Sequence, residues 1–126
     1  MSLDEQLVAI NWPNVSGEYK FVQLDVDGRP HLRFAEDEWE IHGTILMKLL
    51  TNLRIPYTEI LSRSETDVPA LTGERYRVYG FGKSKIDVEQ RIVSLYGKSF
   101  DYNIGIDRTH LESIKSSIGD WNIKLS

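Results

Sequence analysis

The chain has 126 residues, of which 40% are hydrophobic and 27% are charged, a composition that suits one globular domain with a single core and excludes a disordered chain. A formal net charge of −4, and the lack of any apolar run near the roughly 20 residues of a membrane helix, argue against nucleic acid and membranes as partners. The absence of cysteine excludes disulfides, thiolate metal sites and a cysteine nucleophile, and it is compatible with the cytoplasmic location that we expect.

The first predicted element is a β-hairpin. Residues 18–26 alternate between two faces, Asp27-Gly28 suits a two-residue type I′ turn, and residues 30–34 form the return strand. Lys20 shares the alternation phase of the apolar residues at positions 22, 24 and 26, so its side chain starts on the face that points to the core. A lysine there either extends along apolar surface to the rim or reaches a partner, and the sequence leaves both interpretations open.

A helix follows over residues 39–53, where apolar side chains recur at three- and four-residue spacing behind an acidic start at residues 36–38. His42 lies near the beginning of this helix and on its apolar stripe. A neutral imidazole there suits proton transfer or attack on phosphorus, because the helix dipole favours the uncharged ring. The alternative is a packed histidine with a hydrogen-bonded ring. Gly43 is a poor helix former, and we expect its small size to leave room for a ligand beside His42.

The next predicted elements are a strand at residues 57–61, a polar surface loop and a strand at residues 75–81. A second helix then begins near Ser84, with apolar residues at positions 88, 92, 95 and 96 on one face and Gly97 at its end. Glycines, a lysine and a helix N-terminus together favour anion binding, so residues 82–84 are a candidate phosphate cradle. A tight turn in which Ser84 only caps the helix is the alternative.

Residues 100–106 alternate as a further strand, and the rest of the chain predicts a short helix and a final apolar segment. The order is therefore β-β-α-β-β-α-β with a short C-terminal extension. We expect an α+β fold, a mixed α/β sandwich in which helices flank a mixed sheet. Residues 1–126 are predicted to form a single domain, with a core at residues 17–106 and the extension at residues 107–126.

Four segments, in this order along the chain, resemble the janus/ocnus family of phosphohistidine phosphatases. They are Gly17-Glu18-Tyr19-Lys20-Phe21-Val22, Trp39-Glu40-Ile41-His42-Gly43-Thr44-Ile45 with Lys48 beyond it, Arg77-Val78-Tyr79-Gly80-Phe81, and Phe100-Asp101-Tyr102. They match the family's first strand, its catalytic-histidine segment, the strand that leads into its phosphate loop and its closing strand.

The resemblance implies a protein phosphohistidine phosphatase that hydrolyses a P–N bond without a metal or another cofactor. His42 would be the nucleophile or the general base, a choice that the sequence leaves open, and Lys20 would contact the phosphoryl group as the second catalytic residue. The residues that the resemblance assigns to phosphate binding are Gly82, Lys83, Ser84 and Arg63. The implied substrate is a phosphohistidine-containing protein or a small phosphoramidate.

Two other interpretations of the same residues remain open. In the first, the chain is a non-catalytic phosphate- or phosphoprotein-binding module of the same fold. In the second, it is an interaction domain in which His42 is buried and an apolar patch near Trp121 is exposed. His31 and His110 lack carboxylates at metal-ligand spacing, so we expect no metal site. The sequence leaves the oligomeric state open.

Overall fold

The structure is a computed structural model that describes residues 8–35, 41–63 and 65–125. Its elements are, in chain order, β1 (Gly17–Val26), β2 (Arg29–Ala35), α1 (His42–Asn52), β3 (Glu59–Leu61), β4 (Asp67–Pro69), β5 (Tyr76–Asp87), β6 (Ile92–Tyr96), β7 (Lys98–Ser99), β8 (Ile104–Gly105), α2 (Arg108–Ser113), a 3₁₀ turn (Lys115–Ser117) and β9 (Asn122–Leu125). Strands and helices both contribute, with more strand than helix, so the predicted α+β class is confirmed.

Within the described ranges, five strands form the main sheet, in the order β2-β1-β5-β6-β9. Neighbouring strands are antiparallel except β9, which runs parallel to β6, so the predicted mixed sheet is confirmed. Parallel neighbours need a crossover connection, and α2 with the 3₁₀ turn lies in the chain between β6 and β9. The segment after Gly105 therefore supplies the fifth strand of the main sheet. In addition, β3 pairs with β4, and β7 pairs with β8.

The predicted first hairpin is confirmed. β1 and β2 pair up to Val26 and Arg29, so Asp27 and Gly28 alone form the turn. Both turn residues have positive φ, 51° and 78°, as a type I′ turn requires. The Asp27 carboxylate also forms a 2.8 Å ion pair with Arg75, which lies directly before β5. This ion pair therefore connects the hairpin turn to the beginning of β5, the central strand of the main sheet.

The main sheet separates two apolar clusters, and a helix packs on each face, as predicted. On the first face α1 covers β1 and β5, and the cluster there includes Val22, Leu24, Leu46, Leu50 and Phe81. On the second face the segment before β1 and the segment around α2 cover the sheet, and the cluster there includes Ile10, Phe21, Leu32, Leu95 and Ile114. Side chains of β1 enter the two clusters in alternation, because successive residues of a strand point to opposite faces.

The predicted second helix is wrong. β5 continues through residues 82–84 to Asp87, and the chain then turns back into β6. Burial alternates residue by residue from Gly82 to Ile86, which is the period of a strand and not of a helix. This part of β5 pairs with β1 on one side and with β6 on the other. The predicted order β-β-α-β-β-α-β is therefore wrong after its fourth element, because β4 lies within the predicted surface loop and a strand replaces the second helix, although the class is unaffected.

The predicted strand at residues 100–106 is also largely wrong. Residues 100–103 form a turn, and only Ile104–Gly105 are extended, as β8. The short helix predicted for the rest of the chain is confirmed as α2, which begins after Asp107. The Asp107 side chain caps it by accepting a 2.9 Å hydrogen bond from the His110 N–H.

Candidate functional site

His42 is the first residue of α1 and is buried, with 4% of its surface exposed. The helix begins after Ile41, whose extended backbone (φ −72°, ψ 156°) leads into it. Ile41 has no side-chain oxygen, so it does not cap the first N–H groups of the helix. The His42 ring lies against Phe81 of β5, with the ring centroids 5.1 Å apart. α1 therefore holds the imidazole against the central strand of the main sheet.

Gly43 is a glycine because α1 touches β4 at this point. A Cβ atom on Gly43 would lie 2.2 Å from Cγ1 of Val68, far closer than atoms pack. The hydroxyl oxygen of Tyr102 would be 3.7 Å from the same Cβ. The prediction that Gly43 leaves room for a ligand is therefore wrong, since Val68 fills that space.

The Nε2 atom of His42 lies 2.9 Å from the carbonyl oxygen of Gly82. A carbonyl oxygen only accepts hydrogen bonds, so Nε2 carries the proton and Nδ1 carries the lone pair of the neutral ring. Burial lowers the pKa of His42 below the ordinary histidine value of 6.5, and the charges of Lys20 and Lys83 lower it further. The Gly82 hydrogen bond and the charge of Asp101 act in the opposite direction. The ring is therefore neutral at neutral pH.

Lys20 on β1 and Lys83 on β5 are direct partners in the antiparallel ladder. The side chains of such a pair share one face of the sheet, with Cβ atoms about 5 Å apart. That face is the one on which α1 packs, because Lys20 alternates in phase with Val22. Like charges opposite each other in a sheet repel, and an anion between them removes that repulsion. We call Lys20, His42 and Lys83 the lysine–histidine site.

The cradle predicted at residues 82–84 is wrong in its geometry, because no helix begins there. Lys83 shares the face of the lysine–histidine site, and the Gly82 carbonyl oxygen accepts from His42. Ser84 is fully buried, and its Oγ donates a 3.0 Å hydrogen bond to the Tyr19 carbonyl oxygen, because its side chain points to the opposite face. The three residues therefore do not act together, and the Ser84 hydroxyl lies outside the site.

Arg63 is exposed between β3 and β4, and its guanidinium carbon lies 4.8 Å from the centroid of the Phe100 ring. Its backbone N–H donates to the carbonyl oxygen of Asp101 at 3.1 Å. Asp101 is buried, and its charge acts on His42. Arg63 is therefore connected to the site indirectly, through the turn that holds Asp101.

Asp101 and the turn around it are the part of the site that the sequence analysis missed. In this turn the Asn103 N–H donates to the Ser99 carbonyl oxygen at 2.9 Å, and the Tyr102 N–H donates to the Ser99 Oγ at 3.3 Å. Gly97 and Asn103 both have positive φ, 74° and 57°. Glycine and asparagine are the residues that turns with positive φ favour, so this pair is the signal that identifies the loop.

Tyr102 connects this turn to β5 and to β4. Its ring stacks on Phe81 with centroids 4.7 Å apart, and the Phe81 ring in turn contacts His42. Its hydroxyl donates to the Pro69 carbonyl oxygen at 2.7 Å. Burial raises the pKa of Tyr102 far above its usual range, so the hydroxyl stays protonated and remains a donor. The Phe81 ring therefore links the imidazole to the Tyr102 ring of the turn.

Trp121, where the interaction-domain alternative predicts an exposed patch, is partly buried. Its ring stacks on Trp12 with centroids 4.1 Å apart and planes 6° apart, and Trp12 packs on Phe34 of β2 at 5.6 Å. The chain itself therefore covers one face of this indole. The same alternative also predicts a buried His42, and that prediction is confirmed.

No protein-family model and no curated protein matches the chain. The resemblance to the janus/ocnus phosphatases therefore rests on the four sequence segments and stays a prediction. Among the described residues, no group of three or more histidine, aspartate or glutamate side chains is arranged to hold a metal ion. No helix in the described part of the chain has both the length and the apolar character to span a membrane.

Proposed function

We propose that this protein is a phosphohistidine phosphatase that cleaves a P–N bond at the lysine–histidine site. The observation that carries the proposal is the direct pairing of Lys20 with Lys83 beside a buried, neutral His42. Two neighbouring ammonium groups suit a phosphoryl group, because its negative charge is spread over three oxygens. The proposed substrate is a phosphohistidine-containing protein or a small phosphoramidate, and the proposed location is the cytoplasm.

In the proposed reaction the P–N bond breaks and a bond from a water oxygen to phosphorus replaces it. Negative charge develops on the equatorial phosphoryl oxygens in a loose transition state. The ammonium groups of Lys20 and Lys83 stabilise this charge because the sheet fixes their positions before the reaction begins. The water loses a proton, and the leaving nitrogen takes one up.

His42 has two possible roles in this reaction, and both use Nδ1. As a general base, Nδ1 accepts the proton of the attacking water; as a nucleophile, it bonds to phosphorus and water then cleaves that second P–N bond. Both roles need the neutral ring, and burial supports this state by lowering the pKa of His42. The Gly82 carbonyl supports both roles because it keeps the proton on Nε2. Asp101 stabilises the ring once it becomes positively charged.

The beginning of α1 supplies the backbone donors in this proposal, in place of residues 82–84. The first N–H groups of a helix have no partner within the helix, and the positive end of its dipole favours an anion. Since His42 is the first residue of α1, the N–H groups of Gly43 and Thr44 lie at the end of the helix that holds the imidazole.

A non-catalytic phosphate-binding module is the second candidate, and the burial of His42 favours it. With 4% of its surface exposed, the ring offers little area to a substrate. The lysine pair and the first N–H groups of α1 would still bind a phosphoryl group without turnover.

The test is metal-free release of phosphate from a phosphohistidine peptide by the wild type and by His42→Ala. The phosphatase proposal predicts that His42→Ala loses activity by about 100-fold or more, with an unchanged circular dichroism spectrum. Lys124→Met, which removes an exposed lysine on β9, is the matched control and should keep full activity. Equal rates for the wild type and His42→Ala would remove His42 from the mechanism.

Binding of inorganic phosphate separates the two candidates if the wild type releases no phosphate. Phosphate binding that disappears in Lys83→Met and persists in Lys124→Met would support the second candidate, the non-catalytic phosphate-binding module. Lys83 suits this experiment because its side chain is exposed, so its replacement leaves the core intact. A wild type that neither hydrolyses the peptide nor binds phosphate would overturn both candidates.

A further inference from the structure

The face of the sheet that holds the lysine–histidine site continues beyond it. Glu18 on β1 lies opposite Lys85 on β5, and Lys85 lies opposite Ser94 on β6. Residues two apart in a strand share a face and lie about 7 Å apart, so this row directly borders the row of Lys20 and Lys83. A cleft of about 620 Å³ lies over this second row, and we call it the sheet cleft.

The sheet cleft has the opposite charge to the lysine–histidine site. The charged residues that line it are Glu18, Lys85, Asp87 and Glu89, three carboxylates against one ammonium group. Among the described residues, none of the three carboxylates forms an ion pair with a lysine or an arginine. The sheet face therefore changes from a positive row to a negative cleft within two residues along β1 and β5.

We propose that the sheet cleft binds a basic segment of a phosphorylated protein substrate, with a lysine or arginine two to four residues from the phosphohistidine. This inference rests on the proposed function, which places the phosphoryl group at Lys20 and Lys83. From that row Glu18 is two residues away and Asp87 is four, which is about 7 and 13 Å along the strands. An extended peptide advances about 3.3 Å per residue, so its side chains at these separations reach the two carboxylates.

The distance from the lysine pair to the sheet cleft also indicates which part of the substrate occupies the cleft: a flanking side chain and not the leaving group. The leaving nitrogen is bonded to phosphorus, so it stays within a few ångströms of the lysine pair and does not reach the cleft. A protein segment, by contrast, presents an anion at the phosphoryl group and a cation further along the chain. Its charges are then complementary to both rows of the sheet face, and such complementarity contributes mainly to specificity.

The experiment measures binding of two fluorescent peptides in which a non-hydrolysable phosphonate analogue replaces phosphohistidine. One peptide has lysines at the second and fourth positions from the analogue, and the other has glutamates there. We expect the wild type to bind the lysine peptide about fivefold more tightly at low salt. The double variant Glu18→Gln, Asp87→Asn should lose most of this difference, and the asparagine keeps an Oδ1 atom for the 3.0 Å hydrogen bond that Asp87 accepts from the Gln90 N–H. Glu74→Gln, an exposed carboxylate ahead of β5, is the matched control and should keep it.

The outcomes separate this inference from the proposed function. Equal binding of both peptides by the wild type, or a preference that survives in the double variant, overturns the sheet cleft as a specificity site. Lys83→Met tests the phosphoryl site separately. If this variant binds both peptides as tightly as the wild type and still prefers the lysine peptide, the cleft binds basic peptides, and the placement of the phosphoryl group at Lys20 and Lys83 is wrong. Failure of both peptides to bind overturns both proposals.

Discussion

His42 and Gly82 are joined by a 2.9 Å hydrogen bond between the first residue of α1 and the central strand of the sheet. Forty residues separate them in the sequence, yet this bond decides which ring nitrogen carries the lone pair. Gly82 is followed directly by Lys83, so one stretch of β5 provides both the carbonyl that orients the imidazole and one ammonium group of the site. The chemistry proposed for this site therefore depends on how α1 packs on β5.

Stability should fall with acid because His42 is buried in its neutral form. Its pKa in the folded protein lies below the ordinary value of 6.5, chiefly through burial, so the unfolded chain binds a proton more readily. The contribution of the neutral His42 ring to the free energy of unfolding is fully present above pH 6.5. It is lost as the pH falls from 6.5 towards the lowered pKa of His42 in the folded protein. Urea unfolding across this range should give a smaller pH dependence for His42→Gln than for the wild type. An identical pH dependence for both proteins would contradict the assignment.

Removal of one lysine should separate phosphate binding from stability. Lys83→Met relieves the repulsion with Lys20, so without phosphate the free energy of unfolding should stay the same or rise by up to about 0.5 kcal/mol. Inorganic phosphate should raise the melting temperature of the wild type and of Lys124→Met, because it binds only the folded state. The rise should be absent in Lys83→Met. An equal rise in all three proteins would place the phosphate elsewhere.

Gly43→Ala should destabilise the protein by about 2 kcal/mol, because the new methyl group overlaps Val68. The better helix propensity of alanine recovers only about 1 kcal/mol of the strain. Val68→Ala alone leaves a cavity, yet in combination with Gly43→Ala it makes room for the added methyl. Urea denaturation of the two single variants and the double variant should therefore show a loss smaller than the sum. Additive losses would show that the two residues do not compete for the same space.

Gln23→Met should cost about 2 kcal/mol or more, since it leaves buried backbone groups without partners. The Gln23 side chain is fully buried, accepts from the Asp107 N–H at 2.9 Å and donates to the Asp107 carbonyl oxygen at 2.9 Å. This pair of bonds ties β1 to the residue that caps α2. Hydrogen exchange should show faster opening of α2 in the variant, whereas the exposed Gln90→Met should behave like the wild type.

The elements that the sequence predicts correctly are those with local signals. Asp27-Gly28 requires a tight hairpin whatever the rest of the chain does, and the three- and four-residue spacing around Leu46 and Leu50 defines α1. The helix predicted after Ser84 fails because Val88, Ile92 and Leu95 have helical spacing by coincidence. Val88 lies in the turn between β5 and β6, which has Arg91 at φ 55°, whereas Ile92 and Leu95 lie in β6, so the spacing does not belong to one element.

The candidate site depends on contacts that no local pattern contains. The sequence singles out Lys20 and His42 separately, each with a structural alternative. Their approach to Lys83 depends on the β1–β5 register and on the packing of α1, both of which are set by distant residues. The same holds for Asp101, because a turn is positioned by what it packs against, here Phe81 and β4 through Tyr102.

The stack of Trp12 on Trp121 gives the protein an internal spectroscopic reporter. Two indoles whose planes are 6° apart at 4.1 Å couple their strongest electronic transitions, so the folded protein should show a tryptophan exciton signal in far-ultraviolet circular dichroism. One ring precedes β1 and the other precedes β9, so the signal arises only when both outer parts of the chain have reached the second face of the sheet. Its appearance during refolding therefore marks the closure of the domain, independently of when α1 forms.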